Sequence, residues 1–322
     1  MILKGFSPYR LSFFGGGTDI EPYPSEYGGC CISHTIAQGC YGEIDFSSKK
    51  KQISDMSSDN NCVHNGLKKI LSHQYKNFSF SYYNDLPTGS GLGTSGSLIG
   101  MLAAFENFKN FKKIQKLKTA NRAYFLEKKL LKTFGGRQDE FASIYGGFNF
   151  MEFNKDKTSI QKINVSTKFK IELQEKSLLM FTGMTRDGSK IIENHINIFK
   201  KKKNIKYLHE IKKLTISMKE ELKRNNIKSF LKNINLYWNL KKKYNPQVSN
   251  KKIDNMIKVA LDNGATSCKL TGAGNGGHLL IFVSLKKRLK IIKKLEKLGC
   301  SQINFSYSNL KTTVYKGKKQ IL

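Results

Sequence analysis

Residues 86–97 read Leu-Pro-Thr-Gly-Ser-Gly-Leu-Gly-Thr-Ser-Gly-Ser and place a glycine-rich turn between two regular segments. Before this turn, residues 78–82 alternate aromatic residues with serine, which predicts a β-strand. After it, the apolar stretch 97–108 predicts a helix. The free N–H groups at the start of a helix attract anions, and the helix dipole adds to this attraction. The stretch therefore predicts a phosphate-binding loop.

The composition of this loop indicates what it can hold. Its glycines allow the backbone to approach a ligand closely, and its hydroxyls suit phosphate oxygens or a hydrated Mg²⁺. The loop is not a Walker A motif, because no Lys-Ser or Lys-Thr pair follows its last glycine. A flexible connector is the alternative, which the position between strand and helix disfavours. The residues expected to bind phosphate are Gly89, Ser90, Gly91, Leu92, Gly93, Thr94, Ser95 and Ser97.

Three further stretches combine glycines with charged residues. Residues 269–277 read Lys-Leu-Thr-Gly-Ala-Gly-Asn-Gly-Gly and precede an apolar strand predicted over 278–283. Residues 7–19 read Ser-Pro-Tyr-Arg-Leu-Ser-Phe-Phe-Gly-Gly-Gly-Thr-Asp, and residues 135–140 read Gly-Gly-Arg-Gln-Asp-Glu. Two glycine loops that both expose backbone N–H groups suggest a shared polyphosphate site.

The second half of the chain has a different pattern. A polar segment, 155–167, predicts a boundary between a domain at 1–165 and a domain at 166–322. A short strand is predicted at 178–181, and helices follow it. Those helices are expected over 189–200, 206–223, 229–242 and 251–263. A last helix begins after Ser284, with Leu285, Leu289, Ile292 and Leu295 as its apolar stripe. Mixed strands and helices predict the α+β class.

Composition narrows the class of protein. The chain has 322 residues and a formal net charge of +32. No apolar run approaches the ~20 residues that a membrane span needs, and we expect a cytoplasmic protein without a membrane partner. The charge makes a nucleic-acid-binding protein an alternative. The lysines are spread along the chain without an aromatic recognition motif, so we predict a solvated surface and no nucleic-acid partner.

Together the four glycine-containing stretches resemble the signature motifs of the GHMP kinases in order and spacing. The opening Ser-Pro-Tyr-Arg…Gly-Gly-Gly-Thr-Asp is most similar to the branch that acts on heptose 7-phosphates, and it lacks the Glu-His of galactokinase-like openings. The resemblance implies two α+β domains with the active site between them. The N-terminal domain is expected to resemble domain 2 of ribosomal protein S5, and the C-terminal domain is expected to be ferredoxin-like.

The resemblance also implies catalytic and substrate-binding roles. Asp139 matches the aspartate that accepts the proton of the attacking hydroxyl, and Arg10 matches the basic residue beside it. Both are expected to be catalytic. Asp19 matches the acidic residue that binds sugar hydroxyls. The substrate contacts are expected from Gly17, Thr18, Asp19, Gly272, Ala273 and Gly274.

ATP and Mg²⁺ are the cofactors that the resemblance implies. The loop 89–97 would hold the ATP phosphates, while Ser95 and Glu127 would hold the metal. Residues 94–97 read Thr-Ser-Gly-Ser where the family usually has Ser-Ser-Ala-Ala. The metal-binding hydroxyl is therefore that of Thr94, Ser95 or Ser97.

An acceptor that already carries a phosphate needs a second basic pocket. Arg186 and Lys190 follow the predicted strand 178–181 and are the candidates for this pocket. An exposed pair of cations is the alternative in so lysine-rich a chain.

The expected reaction is phosphoryl transfer from ATP to the anomeric C1 hydroxyl of a heptose 7-phosphate. Its product would serve the synthesis of nucleotide-activated heptose for surface polysaccharide. A kinase for another sugar, of the fucose or galactose type, is the alternative within the family. The sequence leaves open whether the chain forms a homodimer.

Overall fold

The computed structural model describes residues 1–57, 62–87, 89–130, 135–155, 157–185, 188–317 and 319–321. The strands formed by these residues are β1 (Ile2–Phe14), β2 (Gly29–Asp45), β3 (Lys51–Asp55), β4 (Phe78–Asn84), β5 (Phe148–Phe153), β6 (Thr158–Lys162), β7 (Ser177–Phe181), β8 (Ser267–Leu270), β9 (His278–Phe282), β10 (Ser301–Ile303), β11 (Thr313–Lys316) and β12 (Lys319–Ile321).

The α-helices formed by these residues are α1 (Tyr23–Tyr27), α2 (Cys62–Gln74), α3 (Thr94–Phe111), α4 (Lys116–Phe125), α5 (Gln138–Tyr145), α6 (Thr167–Lys176), α7 (Gly188–Lys200), α8 (Ile205–Lys223), α9 (Ile227–Tyr244), α10 (Lys251–Asp262) and α11 (Leu285–Glu296). A π-helical segment, Leu126–Leu130, extends α4. None of the helices in the described ranges is long and apolar enough to cross a membrane.

The first sheet surrounds the long strands β1 and β2. Its order is β12-β11-β1-β2-β4-β3, and β5 pairs with β2 and with β6. The pairings are antiparallel except that of β3 with β4. Phe105 and Met101 of α3 lie against Gly5 of β1, so this helix covers one face of the sheet. Burial by packed helices explains why β1 is apolar through most of its length.

The second sheet is antiparallel, with the order β10-β7-β9-β8. Every residue of β9 is buried, and Ile253 and Ile257 of α10 belong to the same apolar cluster as residues of β8 and β9. Strands buried on both faces lose the alternating pattern and are recognised instead by a short apolar run. The architecture confirms the predicted α+β class.

The predicted apolar stripe of α11 is partly wrong. Leu285 is 59% exposed and Leu289 is 70% exposed, whereas Ile291, Ile292 and Leu295 are buried. The buried face therefore lies near the end of the helix, where α11 packs beside the second sheet in its apolar cluster. Spacing alone favoured the longer stripe because four apolar residues recur at helical intervals.

The end of the chain returns to the first sheet. Strand β11 pairs with β1, so that Leu3 lies opposite Lys316 and Phe6 lies opposite Thr313. Strand β12 pairs with β11. The segment 166–322 thus contains the second sheet and also contributes two strands to the first. Two separate crossings of the chain join the halves, which favours a fixed relative position of the two sheets.

A cluster of aromatic side chains connects the two halves. The Phe13 ring of β1 lies 5.6 Å from Phe148, 5.2 Å from Phe230 of α9 and 6.5 Å from Phe282 of β9, between ring centroids. Phe13 is completely buried. Tilted and edge-on aromatic contacts add to the burial of apolar area. This cluster lies only a few residues from Arg10, so packing in the core fixes the position of the strand that carries it.

We expect Phe13→Ala to lower the free energy of unfolding by about 3–5 kcal/mol, because it leaves a cavity among well-packed rings. Urea denaturation followed by circular dichroism measures this change. The matched control is Phe111→Ala, since Phe111 is 50% exposed. Its effect should stay below about 1 kcal/mol. Equal losses in the two variants would contradict the role of the aromatic cluster.

Candidate active site

A cavity of about 270 Å³ lies where the glycine loops of the two halves meet. It is lined by residues that are far apart in sequence. Those already expected at a functional site are Arg10, Gly17, Asp19, Gly89, Gly91, Gly93, Thr94, Ser95, Glu127, Asp139, Gly272 and Ala273. The fold therefore brings segments from β1, α3, α5 and the loop after β8 to one place.

Arg10 and Asp139 form an ion pair in this cavity. Arg10 Nε donates to Asp139 Oδ1 at 2.8 Å, and Nη2 lies 2.6 Å from the same oxygen. Both contacts use Oδ1, and Oδ2 takes part in neither. Asp139 lies in the first turn of α5, where the helix dipole favours a carboxylate. The guanidinium thus holds the carboxylate in one orientation and leaves its second oxygen for another partner.

Arg10 also connects this carboxylate to the first glycine loop. Its Nη1 donates to the Gly91 carbonyl at 2.9 Å, and its backbone N–H donates to the Leu92 carbonyl at 3.0 Å. The side chain is 5% exposed. A planar guanidinium with several donors suits such a bridge better than an ammonium does. One residue of β1 therefore sets the distance between α5 and the loop 89–97.

Two glycines permit the close approach of the acidic side chains. A Cβ on Gly96 would lie 2.6 Å from Asp139 Cβ. A methyl group on Gly136 would collide with the carboxylate of Asp19. Larger residues at either position would displace a carboxyl group of the cavity. Close packing against Asp139 thus explains why residue 96 is glycine here, where the family usually has alanine.

The N-terminus of α3 opens into the cavity. Thr94, Ser95 and Gly96 line it, and Gly93 precedes the helix with a left-handed backbone. No side chain caps this helix end, so its first N–H groups have no capping partner from a side chain. Such an end binds anions. Ser97 differs from its neighbours, because its hydroxyl donates to the Pro8 carbonyl at 2.7 Å inside the fold.

The second glycine loop contacts the first. His278 Nδ1 donates to the Ser90 carbonyl at 2.8 Å, and burial lowers the pKa of His278 to about 4. A Cβ on Gly91 would lie 2.8 Å from the Thr271 carbonyl. The two loops are therefore adjacent, and a ligand bound at the N-terminus of α3 would lie beside both.

Asp19 is held at the bend that follows β1. Its Oδ1 accepts the N–H of Gly17 at 2.9 Å. Burial raises the pKa of the Asp19 carboxyl, and the negative charge of Asp139 raises it further. The Thr18 hydroxyl shares its one proton between the carbonyls of Gly15 and Cys30, at 2.8 Å and 2.9 Å. Thr18 therefore stabilises the bend, while Asp19 lines the cavity.

Glu127 and Glu140 form a buried pair of carboxyl groups. Both pKa values are raised by burial, and the pKa of Glu140 is raised further by the charge of Glu127. Apart from Glu127, neither oxygen of Glu140 has a hydrogen-bond partner in the described ranges. Burial and mutual repulsion favour a proton shared between the two carboxyl groups, or a cation bound beside them, over two free carboxylates. Glu127 and Ser95 line the same cavity, so the oxygen donors present there fit Mg²⁺.

Several residues expected at the site lie outside the cavity lining. Ser90 and Leu92 are fully buried in the loop, and Gly274 packs against Val248. Lys190 lies on an exposed part of α7 and does not line the cavity. Arg186 lies outside the described residues.

Other cavity residues were not predicted from the sequence. Lys241 of α9 is 9% exposed, and its Nζ donates to the Gly272 carbonyl at 2.6 Å. His195 of α7 also lines the cavity, and burial lowers its pKa to about 3. Neither lies in a glycine motif. A lysine on the buried face of a predicted helix was the one signal available, and the many exposed lysines obscured it.

Sequence signatures and relatives agree with this arrangement. A signature described as the GHMP kinases N terminal domain matches residues 61–147, and one described as GHMP kinases C terminal matches residues 218–300. The chain is 32% identical over 324 residues to the D-glycero-alpha-D-manno-heptose 7-phosphate kinase of Campylobacter jejuni, covering 94% of this chain and 95% of that protein.

A second relative is the L-fucokinase/L-fucose-1-P guanylyltransferase of Bacteroides fragilis. It is 23% identical over 343 residues, which are 91% of this chain and 36% of that protein. The match therefore spans about a third of that larger protein.

Solved structures show the same fold. The crystal structure of a D-glycero-D-manno-heptose 1-phosphate kinase from Bacteroides thetaiotaomicron superposes with a TM-score of 0.77 at 24% identity, covering 98% of this chain and all of that one. The Leishmania major mevalonate kinase in complex with R-mevalonate has a TM-score of 0.70 at 16% identity and covers 96% of both chains. With its matching signatures, its full-length relative and its converging glycine loops, this chain belongs to the GHMP kinases and is an ATP-dependent sugar kinase.

Proposed function

We propose that this kinase transfers the γ-phosphoryl group of ATP to the anomeric C1 hydroxyl of D-glycero-D-manno-heptose 7-phosphate. The acceptor is inferred from the Campylobacter jejuni relative, which matches along nearly the whole chain. The single observation that supports the chemistry is the Arg10–Asp139 contact in the same cavity as the N-terminus of α3. A carboxylate for the acceptor hydroxyl and a cradle for the donor phosphates then lie side by side.

The donor phosphates would bind at the loop 89–97. The N–H groups at the start of α3 and the hydroxyls of Thr94 and Ser95 would bind their oxygens. Phosphoryl transfer depends mainly on positioning and on neutralising the charge of the transferring group. Arg10 contributes positive charge at the place where the donor and the acceptor meet.

The chemical step needs one proton acceptor. The acceptor oxygen forms a bond to the γ-phosphorus, the bond from that phosphorus to the β–γ bridging oxygen breaks, and ADP leaves. Asp139 takes the proton of the acceptor hydroxyl on the oxygen that Arg10 does not engage. Asp19 orients the sugar through its hydroxyl groups, which a buried carboxyl can do as donor or acceptor according to its protonation.

Mg²⁺ would be held by Ser95 and Glu127, with Glu140 beside the latter. When bound, the ion neutralises charge on the donor phosphates. Ser97 is a weaker candidate than Ser95, because its hydroxyl already donates to the Pro8 carbonyl. Thr94 is 3% exposed and lines the same cavity.

Incubation with MgATP and D-glycero-D-manno-heptose 7-phosphate should yield a sugar bisphosphate whose new phosphorus couples to the anomeric proton. Phosphorus NMR of the product measures this directly. L-fucose, D-galactose and unphosphorylated heptose serve as competing acceptors in an ADP-coupled assay. A higher kcat/KM for fucose or galactose than for the heptose 7-phosphate would show that the proposed acceptor is wrong. Strongly salt-dependent nucleic-acid binding without sugar kinase activity would instead favour a nucleic-acid-binding protein, the alternative that the net charge suggested.

Asp139→Asn should lower kcat by about 10²–10⁴-fold, because the amide cannot take the proton of the acceptor hydroxyl. The KM for ATP should stay within about threefold, since the donor cradle is intact. Steady-state kinetics measure both constants. The control is Asp262→Asn, which changes an exposed carboxylate of α10. An Asp139→Asn enzyme with near-normal kcat would exclude the proposed role.

Ser95→Ala should raise the Mg²⁺ concentration that gives half-maximal activity, because it removes an oxygen ligand. Ser97→Ala should leave that concentration unchanged and lower thermal stability instead, since its hydroxyl donates within the fold. Titration of activity against free Mg²⁺ and thermal melting separate the two effects. A magnesium shift in Ser97→Ala and none in Ser95→Ala would reverse the assignment.

A further inference from the structure

This inference rests on the proposed function. If the acceptor is a heptose 7-phosphate, its phosphate group requires a cation other than Arg10. In a heptose 7-phosphate the reacting hydroxyl and the existing phosphate lie at opposite ends of the sugar. Arg10 engages Asp139 and the Gly91 carbonyl beside the reacting hydroxyl. The other positively charged residue of the described cavity lining is Lys241.

The position of Lys241 is fixed by its neighbours on α9. One turn before it, the Tyr237 hydroxyl donates to the Gly16 carbonyl at 3.1 Å. Just after it, the Tyr244 hydroxyl donates to the His195 carbonyl at 2.8 Å. Side chains at such spacings share one face of a helix. This face therefore contacts the glycine bend at residues 15–17 through Tyr237 and α7 through Tyr244. Lys241 lies between these two tyrosines on the helix, and its ammonium donates to the Gly272 carbonyl.

His195 completes the same wall of the cavity. Its ring lies against the glycine bend, since a Cβ on Gly17 would be 3.0 Å from His195 Cε1. His195 is 7% exposed, and its Nε2 has no hydrogen-bond partner in the described part of the chain. Burial and the positive charge of Lys241 lower its pKa, so the ring is neutral near pH 7. A buried ring nitrogen without a partner costs free energy unless a ligand or water satisfies it.

We propose that Lys241 and His195 bind the phosphate group that the acceptor sugar already carries. The ammonium supplies the charge, and the neutral imidazole supplies a hydrogen bond to a phosphate or nearby hydroxyl oxygen. Gly17 and Asp19 are adjacent on the same wall and contact the body of the sugar. Lys241 thus takes the role that the sequence suggested for Arg186 and Lys190, of which Lys190 lies outside the cavity lining.

Lys241→Met should raise the KM for D-glycero-D-manno-heptose 7-phosphate about 10- to 100-fold, as expected for loss of a charged hydrogen bond. The kcat and the KM for ATP should stay within about threefold. Lys243→Met is the matched control, because Lys243 lies on the exposed face of the same helix. The same variants are assayed with unphosphorylated heptose, for which Lys241→Met should change KM less than about threefold.

The proposal is overturned if Lys241→Met raises KM equally for both sugars, or raises KM for ATP instead of the acceptor. If Lys241→Met is unfolded by circular dichroism, Lys241→Arg and His195→Gln replace it. Lys241→Arg should then keep the KM within about fivefold, and His195→Gln should raise it about 2- to 10-fold for the phosphorylated sugar alone. Failure of the wild-type enzyme to use any heptose 7-phosphate would overturn the proposed function instead.

Discussion

The contact between Arg10 and Asp139 is the interaction on which the site depends. It joins β1 to α5, and through the Gly91 carbonyl it also joins the first glycine loop. A largely buried ion pair contributes little net stability, because desolvation offsets much of the attraction. Apolar residues of similar volume could hold these elements together equally well. The pair fits the proposed chemistry, which needs a carboxylate in one fixed orientation beside a permanent positive charge.

The balance of charge in the cavity follows from burial. Asp19, Glu127 and Glu140 all have raised carboxyl pKa values because they are buried. A pKa raised by burial means that the surroundings favour the neutral form of the group, and a neutral carboxyl repels phosphate less than a carboxylate does. Asp139 differs because Arg10 compensates its charge directly. The cavity can thus contain many acidic side chains and still admit ATP and a sugar phosphate.

Elements with a clear local pattern were predictable from the sequence. Helices predicted at 189–200 and 206–223 correspond to Gly188–Lys200 and Ile205–Lys223, because their apolar residues recur with helical period. The glycine loops were recognisable because their residue types restrict the backbone. By contrast, the sequence pattern does not reveal the full extent of β2, which spans Gly29–Asp45. Its first half is buried on both faces and shows no alternation. Lys241 and His195 reach the cavity only through the packing of α7 and α9 on the first half.

The link between the two sheets explains how this packing positions the glycine bend. The pairing of β1 with β2 shifts register between Ser12 and Phe14, just before the bend. Lys269 of β8 donates to the carbonyls of Ser12 and Phe13, at 2.5 Å and 3.0 Å. Burial lowers the pKa of Lys269 well below its usual value, so strong acceptors are needed to keep it charged. A lysine of the second sheet thus satisfies carbonyls at the irregular end of β1. The direction in which residues 15–19 enter the cavity therefore depends on the second sheet, and the site exists only when both halves are folded together.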